Sequence, residues 1–264
     1  MRVHHLNCGT MNAPLVGRMV CHVLLVETDD AGLVLVDTGF GLEDVAHTRA
    51  RLGPVMPALL RPVLDPAETA AAQVEALGFD RGDVRHVVVT HFDIDHIGGL
   101  ADFPDAAVHV TTEEYDAAVR SPGRRERLRY RSPQWAHGPR VVEHGADGEP
   151  WLGFAAAREL TDVAAGIALV PLPGHTLGHA CVAVDGGDGW LLHAGDAMYH
   201  RGYVDGTPVP RAVRWAEDAL ATSRRTIREN HDRLAELASG HPEVTVLAAH
   251  DPVQLDALAA RARS

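Results

Sequence analysis

Alternation between apolar runs and short polar turns predicts several β-strands in the first third of the chain. Residues 20–27 and 33–37 are apolar runs on either side of the polar segment 28–32, a pattern typical of a β-hairpin. Residues 84–90 form a mainly apolar, β-branched run and predict a buried strand. The first third is therefore expected to consist of strands and turns.

Helical signals mark three other segments. Asp65 stands where a helix N-cap is expected and Gly78 is suited to a helix end, which together predict a helix over residues 66–77. Residues 113–120 are also predicted to be helical, and residues 217–238 carry apolar side chains at helical spacing.

The second half of the chain again contains strand-like runs. Further strands are predicted over residues 108–111, 167–172, 181–184, 190–193 and 244–248. The runs 181–184 and 190–193 flank a Gly- and Asp-rich turn and are expected to pair around it. Because no internal repeat or linker is visible, we expect one α/β domain over residues 1–264.

Composition narrows the classes of function. Hydrophobic residues make up 46% of the 264 residues, the formal net charge is −12, and all 24 basic side chains are Arg. An acidic chain is a poor match for nucleic acid or an anionic membrane, so neither is expected as a partner. The absence of Lys excludes a P-loop lysine and a Schiff-base lysine. A small-molecule substrate is expected instead.

Cysteine usage and the N-terminal residues favour a cytoplasmic protein. Cys8, Cys21 and Cys181 are too far apart in sequence to form a CxxC pair, so neither a disulfide framework nor a thiolate zinc site is expected. No apolar stretch typical of a signal peptide occurs near residue 1, and no run of 18 apolar residues follows.

Four metal-ligating side chains occur within six residues directly after the strand predicted over 84–90. His91 and Asp93 alternate along extended backbone, so their side chains share a face and can bind one metal ion. Asp95 and His96 lie where the chain turns into a helix and can face a second ion. This density of ligands predicts a metal site.

Three more candidate ligands follow later strands. His175 comes after the strand 167–172, Asp196 after the strand 190–193, and His250 after the strand 244–248. Layered α/β proteins place their sites beyond the carboxyl ends of strands, so these side chains are expected to converge with the first four.

This series of residues resembles the metallo-β-lactamase-fold hydrolases, whose hallmark is HxHxDH followed by single His, Asp and His ligands. The resemblance runs from LVDTG at residues 35–39 to His250. It implies a four-layer αββα sandwich with two divalent metal ions at one edge, zinc first. The implied ligands are His91, Asp93 and His175 for the first ion, Asp95, His96 and His250 for the second, and Asp196 between them.

Within that superfamily the chain is most similar to the N-acyl homoserine lactone lactonases. The shared features are LVDTG, the GHTxGH segment at residues 174–179, and Asp196 followed three residues later by Tyr199. The resemblance implies that Tyr199 contacts the substrate carbonyl. It also implies that His179 supports the ligands or packs beside them, because the ligand of GHTxGH is its first histidine, His175.

Asp93 departs from the family pattern, which has histidine at this position. Either Asp93 points away and one ion binds weakly, or its carboxylate binds the metal, which is the favoured interpretation. Two divalent ions would be balanced by the carboxylates of Asp93, Asp95 and Asp196 and a hydroxide. A weaker Lewis acid is then expected, with manganese or iron as alternatives to zinc.

The expected reaction is hydrolysis of a lactone, ester or thioester by a hydroxide that bridges the two ions. Tyr199 would help to polarise the carbonyl, and Asp95 would carry a proton to the leaving oxygen. Two alternatives stay open: an iron-dependent oxidoreductase or oxygenase on the same fold, and a metal-occupied binding module without catalysis.

Specificity is expected to lie in the loops at residues 10–18, 52–64 and 120–150, the last forming a lid or insert. Residues 120–131 contain six Arg and one Glu. A solvated charged surface is the favoured interpretation of this cluster, and a lid that attracts an anionic substrate is the alternative. A homodimer that buries this edge is also left open.

Overall fold

Two six-stranded β-sheets form the centre of the protein in the computed structural model, which describes residues 1–145 and 147–262. Ala146 of the predicted insert and residues 263–264 of the predicted domain lie outside the described residues. The first sheet runs in the order β1 to β6: Arg2–Ala13, Gly17–Glu27, Leu33–Val36, Val84–Val88, Ala107–Thr111 and Arg140–His144. The second sheet runs from β12 back to β7; from β7 to β12 its strands are Glu149–Trp151, Phe154–Glu159, Ile167–Pro171, Ala180–Asp185, Trp190–His193 and Val244–Leu247.

Helices α1 to α11 lie between and after these strands. Their bounds are Leu42–Ala46, Thr48–Leu52, Met56–Leu60, Ala70–Ala76, Ile94–Ile97, Thr112–Tyr115, Glu126–Arg129, Gly202–Asp205, Arg211–Leu220, Arg224–Gly240 and Pro252–Ala262. Within the described residues, no helix is both long enough and apolar enough to cross a membrane.

Separate apolar cores show that the sheets pack as layers. One core joins the facing sides of the two sheets, with Val34 and Val36 from β3 beside Val182 and Val184 from β10. A second core lies between the outer side of the first sheet and α4. A third core lies between the outer side of the second sheet and α10. The predicted αββα sandwich is therefore confirmed.

The strand pairing expected from the turns is present. Strands β2 and β3 form an antiparallel hairpin in which Leu24 faces Val36, and β10 and β11 pair antiparallel with Val182 opposite His193. Strand β1 was not predicted. Its side chains do not alternate cleanly between buried and exposed positions, and its pairing with β2 shifts register after Asn7, so the two-residue period is lost.

Three helix predictions need correction. The single helix expected over 217–238 is two helices, because the chain leaves α9 after Leu220 and Ser223 caps α10 by accepting from the Thr226 N–H. The helix expected over 66–77 begins as a 3-10 turn, and Thr69 rather than Asp65 caps α4. The helix expected over 113–120 is α6 followed by a π-helical turn.

The three expected loops contain regular structure. Residues 10–18 are the tip of the β1–β2 hairpin, and residues 52–64 include α3. Residues 120–150 hold α7, and they supply β6 as the parallel edge strand of the first sheet. That this segment acts as a lid stays a prediction, as does the division of the chain into one domain.

Candidate metal centre

The ends of four strands meet at one edge of the two sheets. Strand β4 ends at Val88 and leads to His91, and α5 begins at Ile94, directly after Asp93. The ends of β9, β11 and β12 bring the three later candidates to the same edge. The structure therefore places all seven predicted ligands together, in two adjoining groups: His91, Asp93, His175 and Asp196, and Asp95, His96 and His250.

Asp196 lies between the two groups. Its Oδ2 is 3.0 Å from His175 Nε2 in the first group. Its Oδ1 is 3.2 Å from His96 Nε2 and 3.0 Å from His250 Nε2 in the second. One carboxylate oxygen therefore faces each group, which is the placement that a bridging ligand needs.

Several buried ligand atoms lack a hydrogen-bond partner among the described residues. They are His91 Nε2, His96 Nε2 and Asp196 Oδ1. An unpaired buried polar atom is costly, and two imidazole nitrogens and a carboxylate oxygen that face one another form the donor set that divalent metals prefer. The residues present therefore fit a metal centre.

Burial and neighbouring charges set the protonation of the site. Burial and the nearby His96 lower the pKa of His91 to about 4, so its imidazole is neutral and can act as a ligand. Burial also raises the pKa of Tyr199 well above its usual value, and the charge of Asp196 adds to this. Tyr199 therefore keeps its hydroxyl proton.

Buried polar contacts orient the ligands. His179 donates from Nδ1 to the Leu172 carbonyl and accepts the Asp196 N–H at Nε2, 3.0 Å away, so it positions the backbone of Asp196. Gly195 precedes that aspartate with a φ of +51°, and a Cβ there would come within 2.6 Å of His179 Nε2. His179 thus supports the ligands, as the resemblance implied.

Glu114 forms hydrogen bonds with both loops that carry ligands of the first group, the loop at His91 and the loop at His175. Its carboxylate accepts the Phe92 N–H between His91 and Asp93, and the Gly178 N–H in the loop that carries His175. Its Oε1 also accepts the Tyr130 hydroxyl at 2.9 Å. The Glu114 side chain lies in α6 and is fully buried.

Asp93 faces the site, and Arg129 forms an ion pair with it. Asp93 Oδ2 is 3.3 Å from His91 Nε2 and 3.2 Å from His175 Nε2. Arg129 donates from Nε and Nη2 to the two oxygens of the same carboxylate. Burial alone would raise the pKa of Asp93, but the Arg129 guanidinium holds it well below its usual range. The interpretation of the Arg cluster as a solvated surface is wrong for Arg129, whose side chain is only 13% exposed.

An apolar pocket of about 380 Å³ opens onto the centre. Its walls come from the tip of the β1–β2 hairpin, from α3 and from α9, and include Met19, Leu60 and Trp215. Asp95 and Tyr199 line its inner end. The ring of Tyr199 packs between His175 and His250, with centroids 5.9 and 5.1 Å away.

Three residues that contact the ligands or their loops are not indicated by the sequence pattern. Asp37, in LVDTG, lies 2.7 Å from His96 Nδ1, Glu114 lies in a predicted helix, and Arg129 lies in the arginine-rich segment. The strand end just before Gly39 is the only local sequence signal for Asp37. No local pattern distinguishes Arg129 from the five other arginines of its cluster, since its partners are distant in sequence.

Comparisons with known proteins show the family to which this chain is related. The family model described as the metallo-beta-lactamase superfamily matches residues 16–250. A probable metallo-hydrolase of Mycobacterium tuberculosis is 56% identical over 96% of this chain and 81% of its own length. An N-acyl homoserine lactonase of Agrobacterium fabrum is 28% identical over 85% of this chain and 80% of its own.

A solved structure has the same fold. It is a variant of the Bacillus thuringiensis protein AiiA with N-decanoyl-L-homoserine bound at its active site. The two chains superpose with a TM-score of 0.72, over 97% of this chain and 95% of the other, at 20% identity. At that level of identity the likeness concerns the fold.

Proposed function

The chain belongs to the metallo-β-lactamase superfamily, and on that premise we propose that it is a dinuclear-metal hydrolase that opens a hydrophobic lactone. An ester or a thioester is included in the same proposal, because its carbonyl carbon is open to the same attack by hydroxide. One observation carries this proposal: two adjoining groups of buried ligands, with Asp196 between them, lie at the inner end of an apolar pocket.

The two divalent ions, zinc first and manganese or iron next, supply a nucleophilic hydroxide and polarise the carbonyl when they are bound. The protein's own residues then act on protons. Tyr199, protonated and at the inner end of the pocket, donates a hydrogen bond to the substrate carbonyl oxygen. Asp95, which lines the pocket, would take up the proton of the attacking hydroxide and pass it to the leaving oxygen of the substrate.

The apolar walls favour a substrate with a long hydrocarbon chain. Each methylene group removed from water contributes about 0.8 kcal/mol to binding. Leu59 and Trp215 are 54% and 69% exposed at the pocket, so these apolar side chains are available to cover such a chain. The relatives named N-acyl homoserine lactonases support an acylated lactone as the first substrate to test.

The proposal is tested with protein loaded with zinc or manganese and a series of N-acyl homoserine lactones from butanoyl to dodecanoyl. Aryl esters and a thioester complete the panel. We expect turnover of the lactones, loss of activity after chelation, and recovery when metal is restored. Asp196→Asn should be inactive, while Asp188→Asn, at an exposed turn outside the site, should match the wild type. A fully loaded protein that hydrolyses none of these compounds would refute the proposal.

A further inference from the structure

Arg129 uses all five N–H groups of its guanidinium inside the candidate metal centre. Nε and Nη2 donate to the two Asp93 oxygens. Nη1 donates to the carbonyls of His175 and Leu220, at 3.2 and 2.8 Å. The second Nη2 proton points to His175 Nε2, 2.6 Å away. A guanidinium with every donor satisfied is held in one orientation.

Two of these acceptors are also predicted metal ligands. His175 Nε2 has a single lone pair, and a neutral imidazole binds a metal ion through that lone pair. In the tautomer of His175 that carries its proton on Nδ1, this lone pair accepts the N–H of Arg129 Nη2, 2.6 Å away. Asp93 Oδ2, which faces His91 and His175, accepts from the same nitrogen of Arg129. A metal ion at the first group must therefore compete with the Arg129 guanidinium for two ligands, Asp93 and His175.

Charge balance makes the two groups unequal. Asp93, Asp95 and Asp196 carry three negative charges, and the Arg129 guanidinium carries one positive charge, so a single divalent ion brings the total to zero. Two divalent ions with a hydroxide would leave one excess positive charge. That excess is least favourable at the first group, beside the guanidinium, unless Arg129 moves away.

Contacts outside the centre fix the position of Arg129. The next residue, Tyr130, is buried and bonds to Glu114, which also holds both ligand loops. Arg125, one turn earlier in the chain, donates to the carbonyls of Leu220 and Ala221 at the end of α9. Carbonyls at a helix C-terminus carry partial negative charge and attract guanidinium groups. The segment is therefore attached on both sides of Arg129.

The identity of residue 93 agrees with this arrangement. A histidine, the family residue, offers at most one acceptor and cannot form a two-point pair with a guanidinium. An aspartate accepts both donors. Asp93 is thus the residue type that Arg129 requires.

We propose that Arg129 is a positioning residue that competes with the first metal ion for Asp93 and His175. The second group (Asp95, His96, His250) then fills first, and the first group fills only at higher metal concentration, when Arg129 has turned away. This inference rests on the proposed metal centre but on no particular substrate.

The test is metal binding by the metal-free protein, followed in competition with a chromophoric chelator for Zn²⁺ and by visible absorption for Co²⁺. Filling the first group breaks the two charge-assisted hydrogen bonds between Arg129 and the Asp93 carboxylate, and each of these is worth about tenfold in the equilibrium constant. The wild type should therefore bind one equivalent tightly and the second about 100-fold more weakly. In Arg129→Gln the two affinities should differ by less than about tenfold.

Two further variants control the experiment. Arg127→Gln, on the same helix, removes an exposed arginine whose Nε bonds to the Pro122 carbonyl, and it should leave the two affinities unchanged. Arg129→Lys keeps the charge but loses the two-point pair, so its second affinity should lie between those of the wild type and Arg129→Gln. Thermal unfolding of each metal-free variant shows whether it is folded.

Equal affinities for both equivalents in the wild type would overturn the inference, and so would an unchanged difference in Arg129→Gln. If Arg129→Gln does not fold, the wild type and Arg129→Lys still decide between these outcomes. Unequal sites in a protein that hydrolyses no substrate would uphold the role of Arg129 and refute the proposed function.

Discussion

The carboxylate of Asp37 lies 2.7 Å from His96 Nδ1, on the opposite side of the ring from Nε2, which faces Asp196. The same carboxylate accepts the backbone N–H and the hydroxyl of Thr90. Burial would raise the pKa of Asp37, but the charge and the hydrogen bond of His96 outweigh it and leave the pKa lowered. Asp37 therefore fixes the ring so that Nε2 is directed into the centre.

Removing this carboxylate should weaken metal binding without removing a ligand. Asp37→Asn is expected to lower metal affinity by about 10- to 100-fold, because outer carboxylates orient the ligating ring and raise its basicity. The measurement is a chelator competition titration. Asp205→Asn, at the end of α8, is the matched control. Unchanged affinity in Asp37→Asn would show that His96 is oriented by other contacts.

Tyr199 should affect the chemical step rather than metal loading. Tyr199→Phe removes only the hydroxyl, so kcat is expected to fall on the order of 100-fold while metal content stays the same. Steady-state kinetics with elemental analysis measures both. Tyr115→Phe removes a hydroxyl on α6 and keeps the ring that packs against Phe92, and it serves as the control. If Tyr199→Phe has the same kcat as the wild type, the hydroxyl of Tyr199 takes no part in catalysis and the residue only packs against the site.

The apolar pocket should set chain-length preference. In the wild type, kcat/KM is expected to rise about fourfold with each added methylene until the pocket is filled. Ala216→Phe places a ring in the pocket wall and should abolish this rise while butanoyl substrates are spared. Ala257→Phe on the exposed side of α11 is the control. Equal losses for short and long chains would mean that the acyl group lies elsewhere.

Three histidines form a hydrogen-bonded row across neighbouring strands of the first sheet. His109 Nε2 is 2.9 Å from His86 Nδ1, and His109 Nδ1 is 2.9 Å from His144 Nε2. Burial lowers the pKa of His109 to about 3, and the charges of His144, His86 and Arg140 add to this. The row is therefore stable only when its central ring is neutral.

This row predicts a contribution to the pH dependence of folding. Between pH 6.5 and about 3, the unfolded chain binds a proton at His109 that the folded protein does not, so stability is lost as the pH falls through this range. His109→Gln should reduce the slope of unfolding free energy against pH by up to about 1.4 kcal/mol per pH unit. Urea unfolding at several pH values measures it. The exposed His47→Gln is the control, and parallel curves for wild type and His109→Gln would exclude the effect.

The sequence determined the ligand types and the edge at which they meet. His91, Asp93 and His175 each follow an apolar run that becomes a strand, and strand ends at one edge of a sandwich come together whatever the lengths of the connecting loops. The hairpin partners follow from the same periodicity. The αββα sandwich and the assignment of seven candidate ligands to two ions are instead implied by the resemblance to the metallo-β-lactamase-fold hydrolases, which these residues carry.

The side chains that surround those ligands are brought there by the packing of elements that are distant in sequence. Asp37 meets His96 across 59 positions, and Arg129 meets Asp93 across 36. Arg127 and Arg129 look alike in sequence, yet one is exposed and the other is inside the site. Local propensity and hydrophobic periodicity carry no information about such distant polar pairs, because these pairs form only when separate elements pack against each other.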